Sequence, residues 1–191
     1  EERDARLSLT RLDPVPPRRR LSVPEIEHGL TETIDYTVRL SRQWLAFLDK
    51  MKRDMAPNTF RFTNFTEWGG VRAQVYWEGY YQFEADEALI LETEMPDEVR
   101  YWNIQLNDTL FNTIEYLYNQ SSLNGHQAKL DGDGKFRAVI ALEDPGIANW
   151  LDPQQRQLGH LVGRWYESST RPMPTLRRVK ASDVLNHLPA D

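Results

Sequence analysis

The side chains best suited to chemistry in this 191-residue chain begin with Tyr101, Asn103, Gln105 and Asn107, which alternate with Trp102, Ile104 and Leu106. On an extended strand the first set shares one face and the second set the other, so the first is a polar row and the second is core. An amide-rich connection follows, with Asn112, Asn119, Gln120, Asn124 and Gln127. Amides both donate and accept, so they match sugar hydroxyls or a carboxylate without bringing charge. Beside a tyrosine ring they are the vocabulary of a cleft for a carbohydrate or another polar metabolite. His126 sits inside this block, where an imidazole could act as general acid or base near neutral pH. It would need a carboxylate such as Glu115, Glu143 or Asp144 close in space. Arg164, beside Trp165, could reach a ligand carboxylate or pair with an internal acid. The plainer alternative is that the amides satisfy backbone groups of an ordered loop and that His126 is a solvated loop residue.

Other chemistries are excluded or weakened. Cysteine is absent, which removes disulfides, thiolate catalysis and Cys-ligated zinc. His28, His126, His160 and His187 are scattered without ligand spacing, so no metal site and no cofactor is expected. Asp131-Gly132-Asp133-Gly134 has the look of a calcium loop, but the position of the bidentate acid holds Leu142, and Asp-Gly between apolar strands is hairpin chemistry. Glu143 and Asp144 are adjacent and diverge on a strand, so they do not form a glycosidase pair. Asp144-Pro145-Gly146 reads as a turn, with Asn149-Trp150 pinning the loop after it. The net charge of −6, with signs interspersed, argues against nucleic acid as a partner. No apolar run approaches the roughly 20 residues that span a bilayer, so no membrane partner is expected. With neither disulfides nor a secretory signal, a cytoplasmic setting is expected. The start at Glu1 without Met points to a processed chain or a piece of a longer one.

Residues 5 to 12 alternate as a half-buried strand, and Asp13-Pro14-Val15-Pro16-Pro17 with Arg18-Arg19-Arg20 makes a stiff linker. Residues 1–21 are therefore expected to be the end of a preceding domain, paired with another subunit, a separate N-terminal chain or a remote sheet edge. Residues 22–191 form the second domain. Ser22-Val23-Pro24-Glu25 is a capping box, and Ile26, Leu30, Ile34, Val38, Leu45 and Leu48 keep one helix face to near Asp54. Gly29 is a point where a short first helix could split off. Beyond Asn58 the period becomes two: Val71 to Glu78, Ala88 to Met95, Arg100 to Asp108, Phe136 to Glu143, Gly159 to Tyr166 and Thr175 to Val179. Gly- and Pro-rich punctuation between these runs predicts an antiparallel β-sandwich of jelly-roll type with the helix packed on it.

Several blocks together carry a family likeness: Gly69-Gly70; Ala85-Asp86-Glu87-Ala88-Leu89; Tyr101 to Leu106; Ser122-Leu123-Asn124 with Gln127; Asp144-Pro145-Gly146 with Asn149-Trp150-Leu151-Asp152; and Arg164-Trp165. Over roughly residues 25 to 185 the chain resembles the C-terminal region of bacterial proteins grouped as domain of unknown function 1214. The resemblance implies a jelly-roll β-sandwich that is one half of a two-part protein, and it brings no established reaction. Two functions are therefore expected in competition. One is a domain that binds or processes a carbohydrate-like or other polar small molecule through Tyr101, Asn103, Gln105, Asn124, Gln127 and Arg164, with His126 moving protons. The other is a structural β domain that forms a homo-oligomer, with no catalytic role.

Overall fold

The computed structural model describes residues 6–14 and 19–189. The chain divides into two compact units, Glu1–Arg39 and Leu40–Asp191.

In the first unit, residues 6–14 form no strand, and Leu7, Leu9 and Leu12 are fully exposed. Ala5, at the start of the expected strand, and residues 15–18 of the linker lie outside the described residues. The helix start is built as its sequence predicts: the Ser22 N–H donates to Glu25 Oε2 at 2.8 Å. Arg19 also binds this carboxylate and, with Ser22, holds it down to about 2. α1 (Val23–Asp54) then runs through Gly29 without a break, so the expected split does not occur. Ile26, Leu30, Ile34 and Val38 are all exposed. The expectation that this apolar stripe is a buried face is thus corrected for the first unit.

In the second unit the packed part of α1 is short. Leu48 and Met51 are buried in a small cluster with Tyr80, while Leu45 stays exposed. Nine strands follow among the described residues: β1 (Arg61–Thr63), β2 (Gln74–Gln82), β3 (Glu87–Thr93), β4 (Val99–Asn107), β5 (Ser122–Asn124), β6 (Phe136–Ile140), β7 (Trp150–Leu151), β8 (Leu158–Ser168) and β9 (Thr175–Lys180). They make a five-stranded sheet, β1-β2-β8-β4-β5, and a four-stranded sheet, β7-β6-β3-β9. All the pairings are antiparallel except the two-residue β6–β7 pair. The long strands β2, β3, β4, β6, β8 and β9 alternate between the sheets, so no two of these six that are neighbours in a sheet follow one another in this series. The first alternating run is cut short at its start: Ala73 has φ 62°, Val71 is exposed, and β2 begins only at Gln74.

The inner faces supply one hydrophobic cluster. Trp77, Trp102, Ile104, Leu106 and Trp165 enter it from the five-stranded sheet; Leu89, Leu91, Phe136 and Ile140 enter it from the other. Gly163 is obligatory here, because a Cβ on it would stand 1.9 Å from the Trp77 ring. The Asp131–Lys135 segment is a tight turn with Gly134 at φ 79°, and Arg137 gathers the carboxylates of Asp131, Asp133 and Glu92. The Asp144 carboxylate accepts the Gly146 N–H. Asn149 clamps two segments together: it accepts from the Lys129 N–H and donates to the carbonyls of Lys129 and Arg137. The Trp150 indole donates to the Ala141 carbonyl at 2.9 Å. Among the described residues, no helix is long and apolar enough to cross a membrane.

Candidate functional site

Because Trp77, Trp165, Trp102 and Ile104 point inward, the residues that alternate with them line the outer face of the five-stranded sheet. Register sorts them into cross-strand rows. Gln74, Tyr166 and Tyr101 form one; Thr63, Tyr76, Arg164, Asn103 and Asn124 the next; Arg61, Glu78, Val162, Gln105 and Ser122 the third; Tyr80, His160 and Asn107 the fourth. The predicted residues Tyr101, Asn103, Gln105, Asn124 and Arg164 therefore do share one face. They belong to two different environments.

The third and fourth rows are covered. Phe47 of α1 stacks on the His160 ring at 5.7 Å, and Phe111 meets the same ring edge-on at 4.9 Å. Trp44 lies flat on Phe111 at 4.6 Å. Phe111 has φ 64°, a strained value for a side chain of this size, and is held there by the Asn107 amide donating to its carbonyl. His160 is completely buried, and neither ring nitrogen has a hydrogen-bond partner of good geometry. Burial pushes its pKa from 6.5 down to about 4; Asp108 and the Thr109 backbone pull more weakly the other way. Glu78 is buried beside it in the third row, where its Oε1 accepts from the Arg61 guanidinium at 3.0 Å and from the Thr63 hydroxyl at 2.7 Å.

The first and second rows contain the accessible chemistry. Arg164 donates to Asn103 Oδ1 at 2.9 Å, and its guanidinium carbon lies 5.2 Å from the centre of the Tyr76 ring. No carboxylate pairs with Arg164 among the described residues. Tyr101 is 44 % exposed nearby in the first row. The other predicted residues are taken up locally. Asn124 Oδ1 caps the turn that follows it, accepting from the N–H groups of His126 and Gln127, while Gln127 Oε1 accepts from the Asn124 N–H. Gln105 donates to Asn107 Oδ1. His126 is exposed on that turn, and the hydrogen bond it makes is through its backbone. None of its three expected carboxylate partners is joined to it. Glu115 instead caps the N–H groups of Leu117 and Tyr118, and Asp144 caps Gly146.

Two clefts lie elsewhere, beside the 3₁₀ segment Ala181–His187. One of about 330 Å³ is lined by Lys129, Ile147, Asn149 and Leu185; one of about 540 Å³ by Glu87, Leu142, Pro145 and Ser182. Neither contains a predicted site residue. Sequence reasoning missed Tyr76, Glu78 and His160. Their outward parity was visible in the alternation, but their pairing with Arg164, Arg61 and Phe47 depends on contacts remote in sequence.

No family model matches the chain, and no curated protein matches it. Among solved structures it is similar to an uncharacterised protein of Burkholderia cenocepacia, at 23% identity and a TM-score of 0.74 over 90% of this chain and 47% of that one. A second similarity is to a protein of Vibrio parahaemolyticus, at 13% identity and a TM-score of 0.48, covering 86% of this chain and 48% of that one. The chain thus spans about half the length of each. The first likeness extends the mainly β fold to a bacterial protein.

Proposed function

We propose that the open part of this face recognises a polar, carbohydrate-like small molecule that carries a carboxylate, with Arg164 as its anchor. The observation that carries this reading is the state of Arg164. In a chain of net charge −6 its guanidinium is held by Asn103 and the Tyr76 ring, yet it has no acid partner among the described residues. A guanidinium fixed in this way offers its remaining donors as a fork that fits a carboxylate bidentately. Tyr101 and Tyr76 supply rings for a sugar face, and Asn103 adds an amide for a hydroxyl. In this proposal the domain is a jelly-roll sandwich of the domain of unknown function 1214 type, half of a larger cytoplasmic protein. His126 is its candidate for proton transfer if the ligand is turned over.

The test is a calorimetric and thermal-shift panel of sugar acids, neutral sugars and simple organic acids. Sugar acids should bind and neutral sugars should not, and Arg164→Ala should abolish the signal. Binding that survives Arg164→Ala, or no binding by any acid, would remove the reading. A second reading has its own observation. Asn124, Gln127 and Gln105 serve local hydrogen bonds, as a structural or oligomer-forming domain requires. Failure of the whole panel, with self-association in solution, is the outcome that selects it.

A further inference from the structure

The four sheet edges differ in length and charge. β1 and β5 end the larger sheet with three residues each, and β7 ends the smaller one with two. β9 ends the smaller sheet with six, paired on one side to β3 alone. The Ala181 N–H donates to the Asp86 carbonyl, which fixes the phase of the ladder. In an antiparallel pair, facing residues alternate between exchanging both hydrogen bonds and exchanging none. Continuing from Ala181 with Asp86, the bonded pairs are Val179 with Ala88 and Arg177 with Ile90. Leu176, Arg178 and Lys180 therefore turn their N–H and C=O groups away from β3, toward the free edge. The sequence around this edge is basic: residues 168–182 contain Arg171, Arg177, Arg178 and Lys180 and no acid, in a chain of net charge −6.

We infer that β9 is a docking edge for an extended acidic segment of a partner protein, added as a further antiparallel strand. This goes beyond the small-molecule reading and does not depend on it. Backbone groups of Leu176, Arg178 and Lys180 supply the ladder, and the four cations select the sign of the incoming strand. The same cations argue against the other occupants. A second copy's β9 would set Arg178 and Lys180 against their own kind, which is the way natural edges resist self-pairing. The alternating segment Arg6–Leu12 of a second copy brings Arg6 and Arg11, again of the wrong sign. Glu87 and Asp86, which now hold Arg178 at 3.5 Å and Lys180 at 2.6 Å, leave both cations at least half exposed and open to a competing carboxylate.

The experiment uses the full chain and a labelled ten-residue peptide in which Glu alternates with Val, with a Lys-for-Glu peptide as control. Fluorescence anisotropy should show binding of the acidic peptide only, weakening as salt is raised. Hydrogen exchange should slow at the amides of Leu176, Arg178 and Lys180 and stay unchanged at Arg177 and Val179, which are already bonded. Arg178→Pro removes an outward N–H and leaves the β3 ladder intact, so it should weaken binding about tenfold or more without loss of fold. A double Arg177→Gln, Lys180→Gln variant, which keeps every backbone donor, should weaken it by a comparable factor. Equal binding of both peptides, or indifference to both variants, overturns the inference. So does a protein that is already dimeric with its β9 edge protected, because the occupant is then a second copy.

Discussion

The outer face of the five-stranded sheet is one surface with two characters. On its open rows, Arg164 is held by an amide and an aromatic ring, with no opposite charge among the described residues. On its covered rows, Glu78 is matched by Arg61 and Thr63, while His160 is buried among Phe47 and Phe111 with no well-formed hydrogen bond to either ring nitrogen. Strand parity gave both sets the same orientation, and the C-terminal turns of α1 made them different. What covers a residue decides whether its charge acts on a ligand or on stability. A half-buried arginine lacking an acid is available for recognition, whereas a fully buried histidine is held neutral by the cost of charging it.

The largest effect should come from breaking the match on the covered side. Arg61→Ala leaves the Glu78 carboxylate buried with Thr63 as its remaining partner. Removing one partner of a buried pair costs about 3–5 kcal/mol. Because Arg61 is about one third exposed, the lower end of that range is expected. Urea unfolding should show it as a lower midpoint with an unchanged slope. A loss below about 1 kcal/mol would mean that the two halves of the face do not differ in the way described.

The second effect is a pH dependence owed to His160. Its pKa is lowered from 6.5 in the unfolded chain to about 4 in the folded one, chiefly by burial. Between those values the unfolded chain binds a proton and the folded chain does not. The contribution is therefore full above pH 6.5, falls as pH drops toward 4, and is gone below it. The difference corresponds to at most about 3 kcal/mol. Carboxylates held below their ordinary range, such as Glu25 and Asp133 at about 2, begin to lose their own contribution near pH 4.5, so the decline between pH 7 and about 5 is the part that belongs to His160. Denaturation curves at pH 7, 5.5 and 4 should show the decline, and His160→Leu should flatten it. A decline of equal size in the variant would assign it to other groups.

Of the residues behind these two predictions, Glu78 and His160 lie in runs read as strands from the sequence and were given no role, and Arg61 lies in a strand the sequence did not show. The period-two alternation located six strands and their inward set, since Trp77, Trp102, Ile104, Leu106, Ile140 and Trp165 are all buried. It could not find β1, β5 or β7, which are too short to show a period. It overreached at Ile26, Leu30, Ile34 and Val38, where helical spacing was legible and the absence of a covering partner was not. The turns at Asp131 and Asp144 were readable because their chemistry is local in sequence, whereas Asn149 was read as pinning a loop without its partners Lys129 and Arg137, 20 and 12 positions away. The unpaired state of Arg164, and the burial of Glu78 and His160, depend on contacts 17 to 113 positions away, such as Arg61–Glu78 and Phe47–His160. Alternation carries no information at that distance.

On the open side the expected changes in stability are smaller and the changes in binding larger. Arg164→Ala should lower stability by about 1–2 kcal/mol, because it removes one partly buried bond to Asn103 and one ring contact. It should also remove binding of sugar acids. Arg164→Lys keeps the charge but loses the planar fork, so it should restore only part of the affinity. Full recovery by lysine would show that charge alone suffices and that Asn103 and Tyr76 do not orient the group.

The smallest change should come from His126→Ala. The turn after β5 is fastened by the Asn124 side-chain Oδ1 and by Gln127, and the residue at 126 contributes only its N–H, which alanine also has. Its ring is exposed, so nothing is uncovered by removing it, and the unfolding free energy should change by no more than about 0.5 kcal/mol. By contrast, Asn124→Ala removes the acceptor of two N–H groups and should cost about 1 kcal/mol or more. Comparing the pair separates the turn from the imidazole. If sugar-acid affinity falls in His126→Ala while stability holds, the recognition surface reaches past Asn124 to the end of β5. If affinity falls only in Asn124→Ala, the turn shapes the edge of the site and the imidazole takes no part in binding.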